Sequence, residues 1–263
     1  MKIGLVTDVH YADRPDAGSR CYRDSLPKMR AAVAGMRNAN VDLLVHLGDL
    51  IDNPEVFDPE VETGYLKTMV ETMAPAAKER YACLGNHCVS AFSKGHFLKE
   101  FGQRKSFLSI DRNGIHLIFL DACFRPDNTD YDAGNFDWKK SHVPAAQRAW
   151  LAKDLASTRL PILVFCHQRL DEPSDLRYAA EGRREVRELL AKHKVKGVFQ
   201  GHNHVNDLQT HGGVRYLTLQ AMVEGKASET NAWSILDVNA SGEWKLNGFG
   251  AHTQHRAASK SRS

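Results

Sequence analysis

Five short segments of the 263-residue chain carry side chains that bind divalent metals. They are Asp8-Val9-His10, Gly48-Asp49, Gly85-Asn86-His87, His167 and Gly201-His202-Asn203-His204. Carboxylate, imidazole and amide oxygen together suit borderline or harder ions such as Mn, Fe(II) or Zn, and a set without thiolates argues against a structural zinc site. Two ions about 3.5–4 Å apart need a bridging ligand, and Asp49 at a strand end can supply one. Such a bridge also holds a hydroxide, acidified by both ions. On a strand, residues two apart point the same way, so Asp8 and His10 are expected to serve one ion together. His202 and His204 share that spacing and are expected to serve two neighbouring ions. A lone Gly-Asn-His or His-x-His arises by chance in many proteins. All five in order make one signal.

The elements around these segments explain how distant residues converge. Ile3–Thr7, Leu43–Leu47, Tyr81–Leu84, Ile162–Cys166 and Val195–Gln200 read as buried strands, each ending in one of the metal-competent segments. In open α/β sheets, ligands bind beyond the carboxyl ends of strands. Between them, Leu26, Met29, Val33 and Met36 recur at spacings of three and four, which predicts a helix over about 25–39. Further helices are expected from Val61 to Ala74, from Pro144 through Leu155, and over about Glu181–His193. Asn113-Gly114 between two apolar runs predicts a hairpin. A long polar loop runs from Asp121 to His142. The last fifth turns to antiparallel β character, with strands over Val205–Thr210, Val214–Leu219, Ala232–Val238 and Trp244–Phe249. The fold class is therefore α/β.

Composition narrows the setting. With 42% hydrophobic residues, 25% charged residues and a net charge of +3, the chain is of ordinary globular type, and no nucleic-acid partner is implied. No stretch approaches the roughly 18 apolar residues of a membrane span. The opening run Ile3-Gly4-Leu5-Val6 is too short for a secretory signal core. Five cysteines without a CxxC pair suggest neither a disulfide framework nor a zinc knuckle. A reducing cytoplasm is the simplest setting. One domain is expected over residues 1–251, and the basic end from His252 to Ser263 reads as a disordered tail.

The set Asp8-x-His10, Gly48-Asp49, Gly85-Asn86-His87, His167 and Gly201-His202-x-His204 resembles the calcineurin-like metallophosphoesterase superfamily over about residues 3–250. The resemblance implies a four-layer sandwich, two mixed β-sheets flanked by helices, with a dimetal site at one edge. It implies that Asp8, His10, Asp49 and His204 bind the first ion, and that Asp49, Asn86, His167 and His202 bind the second. His87 would contact phosphate and protonate the leaving group. The implied activity is hydrolysis of phosphate esters or anhydrides, with no covalent intermediate. Within the superfamily, Asp8-Val9-His10-Tyr11-Ala12-Asp13 and Arg20-Cys21-Tyr22-Arg23-Asp24-Ser25-Leu26 look like the manganese-dependent ADP-ribose/CDP-alcohol diphosphatase branch. That branch has Gln where this chain has His10. The substrate this implies is a small nucleotide-type diphosphate or phosphodiester. A phosphomonoesterase, a phosphoprotein phosphatase and a non-catalytic scaffold are the alternatives, and the complete ligand set argues against the last.

Arg20, Arg23 and Tyr11 are the candidate substrate contacts. A guanidinium matches two phosphate oxygens, although either arginine would equally pair with Asp13 or Asp24. Phe124, Tyr131, Phe136 and Trp138 in the long loop either stack on a flat group or pack on their own domain. Gln168 and Arg169, next to His167, are further candidates to reach substrate. Glu224 and Lys226 either line the rim of the site or form a loop salt bridge, and Cys88 and Cys166 read as packing beside the ligands.

Overall fold

In the computed structural model, described over residues 1–256, the chain forms two six-stranded sheets packed face to face. The first sheet is built on β1 (Lys2–Val6), β2 (Leu43–His46) and β3 (Glu79–Ala82), three parallel strands. The second is built on β4 (Leu108–Arg112), β5 (Ile115–Phe119), β6 (Ile162–Phe165) and β7 (Val195–Gln200). The later strands β8 (Asp207–His211), β9 (Val214–Thr218), β10 (Ala232–Val238), β11 (Trp244–Gly250) and β12 (His255–Arg256) divide between the two. The strand orders are β12-β11-β10-β1-β2-β3 and β4-β5-β6-β7-β9-β8.

Strands buried on both faces read as unbroken apolar runs, and here both faces are covered. Ile3, Leu5, Leu43 and Val45 point between the sheets against Phe119, Leu163, Phe165 and Phe199. The Phe119, Phe165 and Phe199 rings stack in sequence, with centroids 5.2 and 5.6 Å apart. The outer face of the first sheet is covered by α1 (Ser25–Asn38), α2 (Pro59–Met73) and α3 (Lys94–Phe101). Helices α4 (Ala145–Ser157) and α5 (Arg183–Ala191) cover the second. The result is the four-layer α/β/β/α sandwich. Among the described residues, no helix is long and apolar enough to cross a membrane.

Several expectations shift. Helix α3 is absent from the sequence reading, although Ser93 caps it through a bond from the His96 N–H and Gly102 ends it in the left-handed region. The late strands form two hairpins in different sheets, and β9 lies parallel to β7. The domain also extends past 251. His252 is buried, meets Ser234 Oγ at 2.6 Å and the Gln220 carbonyl at 2.8 Å, and β12 then pairs with β11. The rest of the expected tail, 257–263, lies outside the described residues.

Candidate active site

The carboxyl ends of β1, β2 and β3 from one sheet meet those of β6 and β7 from the other. There Asp8, His10, Asp49, Asn86, His167, His202 and His204 come together. Three sets of ligand atoms each lie within 4.8 Å of one another: Asp8, His10 and His204; His10, Asp49 and His87; and Asp49, His167 and His202.

The backbone that achieves this differs from the strand alternation expected above. β1 stops at Val6, and Asp8 and His10 each adopt a left-handed conformation, φ 48° and 46°. Asp49, His202 and His204 do the same, at 55°, 78° and 60°. Positive φ in residues other than glycine costs about 1–3 kcal/mol each and persists only where the surroundings enforce it. Here the enforcement is a ladder between loops. The amides of Asp8, Val9 and His10 donate to the carbonyls of Gly48 and Asp49, and the amide of Gly201 donates to the carbonyl of His167. The glycines that precede the ligands have a steric role. A Cβ at Gly201 would overlap Thr7 and the Asp8 carboxylate, and one at Gly48 would overlap the His167 ring.

Hydrogen bonds orient each imidazole. His10 Nδ1 lies 3.1 Å from Asp52 Oδ2, and His204 Nδ1 lies 2.6 Å from Glu224 Oε1. Both carboxylates accept an Nδ1–H, so both Nε2 atoms present lone pairs. Those two lone pairs face each other at 3.1 Å, with Asp8 Oδ1 3.4 Å from His204 Nε2. His167 Nδ1–H donates to the Leu47 carbonyl at 2.8 Å. Its Nε2 then meets Asp49 Oδ2 at 3.1 Å and His202 Nδ1 at 3.1 Å. Asp49 Oδ2 also lies 3.8 Å from His10 Nε2, so one oxygen looks into both clusters. Its Oδ1 is held by the His87 amide at 2.8 Å. Asn86 Oδ1 is buried without a partner among the described residues.

Imidazole nitrogens and carboxylate oxygens converge here with only protons on the imidazoles themselves to satisfy them, which is the environment of a cation. This donor set fits two divalent ions. The titration shifts record the same negative well. Burial opposes a proton on His204, yet Asp8 and Glu224 hold its imidazole up to about 9. Burial likewise opposes a proton on His87, which Asp52 and Asp49 raise to about 9. His202, buried and beside His167, is pushed down to about 3.

A cavity of about 210 Å³ opens over the clusters, lined also by Arg20, His87, Trp138 and Tyr178. Arg20 makes no ion pair or side-chain hydrogen bond among the described residues, so its guanidinium is available to an anion. Arg23 and Tyr11 are not in this lining, a correction to the sequence reading. Arg23 is exposed and bonds Asp13 at 2.5 Å. Tyr11 packs edge-on against Tyr65 at 5.4 Å. Of the loop aromatics only Trp138 reaches the cavity. Tyr131 stacks on Phe136 at 4.0 Å, and Phe124 lies under the Lys94 ammonium. Arg169 is buried in ion pairs with Asp171 and Asp207, and Gln168 bonds Cys123. Lys226 pairs with Asp16, away from the ligands. Cys88 and Cys166 are fully buried, and burial pushes the Cys88 thiol up to about 12, so both are inert packing.

Sequence reasoning missed Asp52 and Tyr178. Asp52 follows Asp49 by three residues and touches two histidines, His10 and His87 Nδ1 at 3.2 Å. That spacing is the only local signal it carries. Tyr178 comes from a short helical turn, Leu176–Tyr178, and its ring sits 5.5 Å from both Trp138 and His202.

Fold and site together define a hydrolase of the dimetal phosphoesterase class. The chain belongs to the calcineurin-like phosphoesterase family, whose model matches residues 1–206. No curated protein sequence matches it. Among solved structures, it is similar to a dimetal phosphatase from Danio rerio, with 19% identity, TM-score 0.83, and coverage of 97% of this chain and 98% of that one. A protein of Thermus thermophilus is similar at 13% identity and TM-score 0.62, covering 95% and 99%. A purple acid phosphatase from yellow lupin (Lupinus luteus) seeds is similar at 15% identity and TM-score 0.61, covering 97% of this chain and 52% of that one. At such identities the likeness is one of fold.

Proposed function

We propose that the chain hydrolyses a small nucleotide-type diphosphate or phosphodiester using two divalent ions, Mn, Fe or Zn. Asp8, His10, Asp49 and His204 would hold the first ion, and Asp49, Asn86, His167 and His202 the second. The observation that carries this reading is the convergence of ligand atoms from distant loops, His10 Nε2 on His204 Nε2 and His167 Nε2 on Asp49 Oδ2, each pair at 3.1 Å. When bound, the ions would acidify a water between them and draw charge from the phosphoryl oxygens.

The chain's own residues do the rest. Arg20, free at the cavity wall, would clamp a phosphoryl oxygen pair and offset the charge that builds there. His87, partly exposed to the cavity and 3.2 Å from Asp52 through Nδ1, would donate a proton to the leaving oxygen. Asp52 orients that imidazole. Trp138 and Tyr178 offer an aromatic wall to a flat group beyond the phosphate. The volume of about 210 Å³ supports a small molecule over an extended polymer. Five unpaired, buried cysteines accord with a reducing compartment such as the cytoplasm.

The test is incubation of the Mn-loaded protein with ADP-ribose, with Asn86→Ala as control. AMP from the wild type alone supports a nucleotide diphosphatase. Cleavage of an aryl phosphodiester without AMP keeps the phosphoesterase reading and removes that substrate class.

A further inference from the structure

We infer that Lys28 is a positioning residue for the first metal site, acting through the 222–225 segment that carries Glu224. The inference rests on the dimetal reading above.

Lys28 lies on α1 and is 1% exposed. A buried ammonium is normally paired with a carboxylate. This one instead gives its three donors to three backbone carbonyls, Met222 at 2.8 Å, Glu224 at 2.8 Å and Gly225 at 2.6 Å. Those carbonyls belong to a segment threaded between two loops of the site. On one side, the amides of Met222 and Val223 donate to the carbonyls of Thr7 and Asp8. On the other, the Gly225 amide donates to Ser19, the Val223 carbonyl accepts from Cys21, and Arg20 bridges Glu224.

From this segment the Glu224 side chain reaches His204 Nδ1 at 2.6 Å, which fixes the face that His204 Nε2 turns towards Asp8. Carboxylates behind a metal-binding histidine set its tautomer, its orientation and its basicity. The Lys28 ammonium gathers the carbonyls on the far side of the same segment. Without it, three buried acceptors would turn to find donors, and the Glu224 carboxylate would move with them. Among the described residues no hydrogen bond joins this segment to Asp49, His167 or His202; the Leu47 carbonyl holds His167, and the His202 amide donates to the Asp8 carboxylate. The effect of Lys28 is therefore confined to one ion of the two.

The experiment titrates Co²⁺ into the metal-stripped full chain, followed by calorimetry and by the visible absorption of the bound ion. His204→Ala and His167→Ala identify which binding step belongs to which site. Lys28→Met, which keeps the apolar stem and removes the donors, is expected to weaken the step lost in His204→Ala by roughly tenfold or more, leaving the other unchanged. Two wild-type steps in Lys28→Met, or equal weakening of both, would overturn the inference. Should Lys28→Met lack a cooperative melt, Lys28→Gln, which retains two donors, carries the same comparison. In a Glu224→Gln background, Lys28→Met should change first-site affinity by no more than about twofold, and an undiminished loss there would show that Lys28 does not act through Glu224. His204→Ala that still binds two ions as the wild type does would instead sink the dimetal reading, whatever Lys28 does.

Discussion

His10 Nε2 and His204 Nε2 face each other at 3.1 Å from loops 194 residues apart, each with its other nitrogen committed to a carboxylate. Two nitrogens so placed repel unless a proton or a metal ion lies between them. Ions at the site should therefore stabilise the fold as well as support turnover. Chelation followed by dialysis should abolish phosphoesterase activity and lower the melting temperature, and Mn²⁺ should restore both. Stabilisation should grow with free metal, reaching about 4 kcal/mol at a thousand times the dissociation constant. A melting temperature indifferent to chelation would mean that protons alone satisfy these acceptors.

Gly85 stands where any Cβ would overlap the Asp49 carboxylate and its amide. Since Asp49 looks into both clusters, Gly85→Ala should displace the shared ligand and lower kcat at least about a hundredfold, with loss of bound metal. Gly64 on α2 is the control, because a Cβ there meets nothing within 4 Å. Gly64→Ala should leave kcat unchanged and raise stability by about 0.5–1 kcal/mol, the helix-interior preference for Ala. Equal metal content in the two variants would remove the steric argument.

The ligand set was legible in the sequence because each member follows an apolar run, and strands covered on both faces leave that mark. The calcineurin-like pattern followed from the same five segments. Their backbone was not legible. Asp8 and His10 share an ion pocket through left-handed turns enforced by the Gly48 and Asp49 carbonyls, a contact between distant segments. Arg20 and Arg23 are equivalent in sequence, and only the bridge from Arg20 to Glu224 turns one inward while Asp13 holds the other outside. Glu224 read as a rim residue or a loop ion pair because its partner, His204, precedes it by a whole hairpin. Tyr178 had no periodicity to mark it. The hairpin at Asn113-Gly114 was readable because both residues take the positive φ that a tight turn demands.

Asp52 meets His10 Nδ1 and His87 Nδ1 with its two oxygens, at 3.1 and 3.2 Å. Asp52→Asn keeps the shape and removes the charge that makes His10 a stronger ligand and keeps His87 protonated. First-site metal affinity should fall roughly 10–100-fold. At saturating metal a residual fall in kcat should remain, from the loss of His87 as acid, and it should be larger for a poor leaving group than for an aryl leaving group. Identical losses for both would assign Asp52 to metal binding alone.

The two arginines of the Arg20–Leu26 segment separate cleanly. Arg20→Ala should raise KM and lower kcat/KM by about 10–100-fold, equivalent to roughly 1.4–3 kcal/mol of lost phosphate contact. Arg23→Ala removes an exposed, solvent-screened pair with Asp13 that adds little to stability, and should leave kinetics unchanged. Steady-state kinetics on one phosphodiester decides both. A Michaelis constant that rises in Arg23→Ala and not in Arg20→Ala would reverse the placement of the phosphate.

Glu62 is fully buried on α2, where Ser90 Oγ donates to Oε1 at 3.0 Å and Oε2 has no partner among the described residues. Burial, with a smaller contribution from Asp52, lifts its carboxyl from 4.5 to about 7. The folded state thus prefers the protonated form. Below pH 4.5 the group is neutral in both states and carries no penalty. Between 4.5 and about 7 the unfolded chain ionises first, and stability falls as pH rises. Above about 7 the full difference persists, roughly 3 kcal/mol at most. Glu62→Gln should therefore stabilise the metal-free protein against urea at about pH 8 and have little effect at about pH 4.5. A gain of equal size at both pH values would trace the effect to packing, leaving Glu62 without a part in the pH dependence of stability.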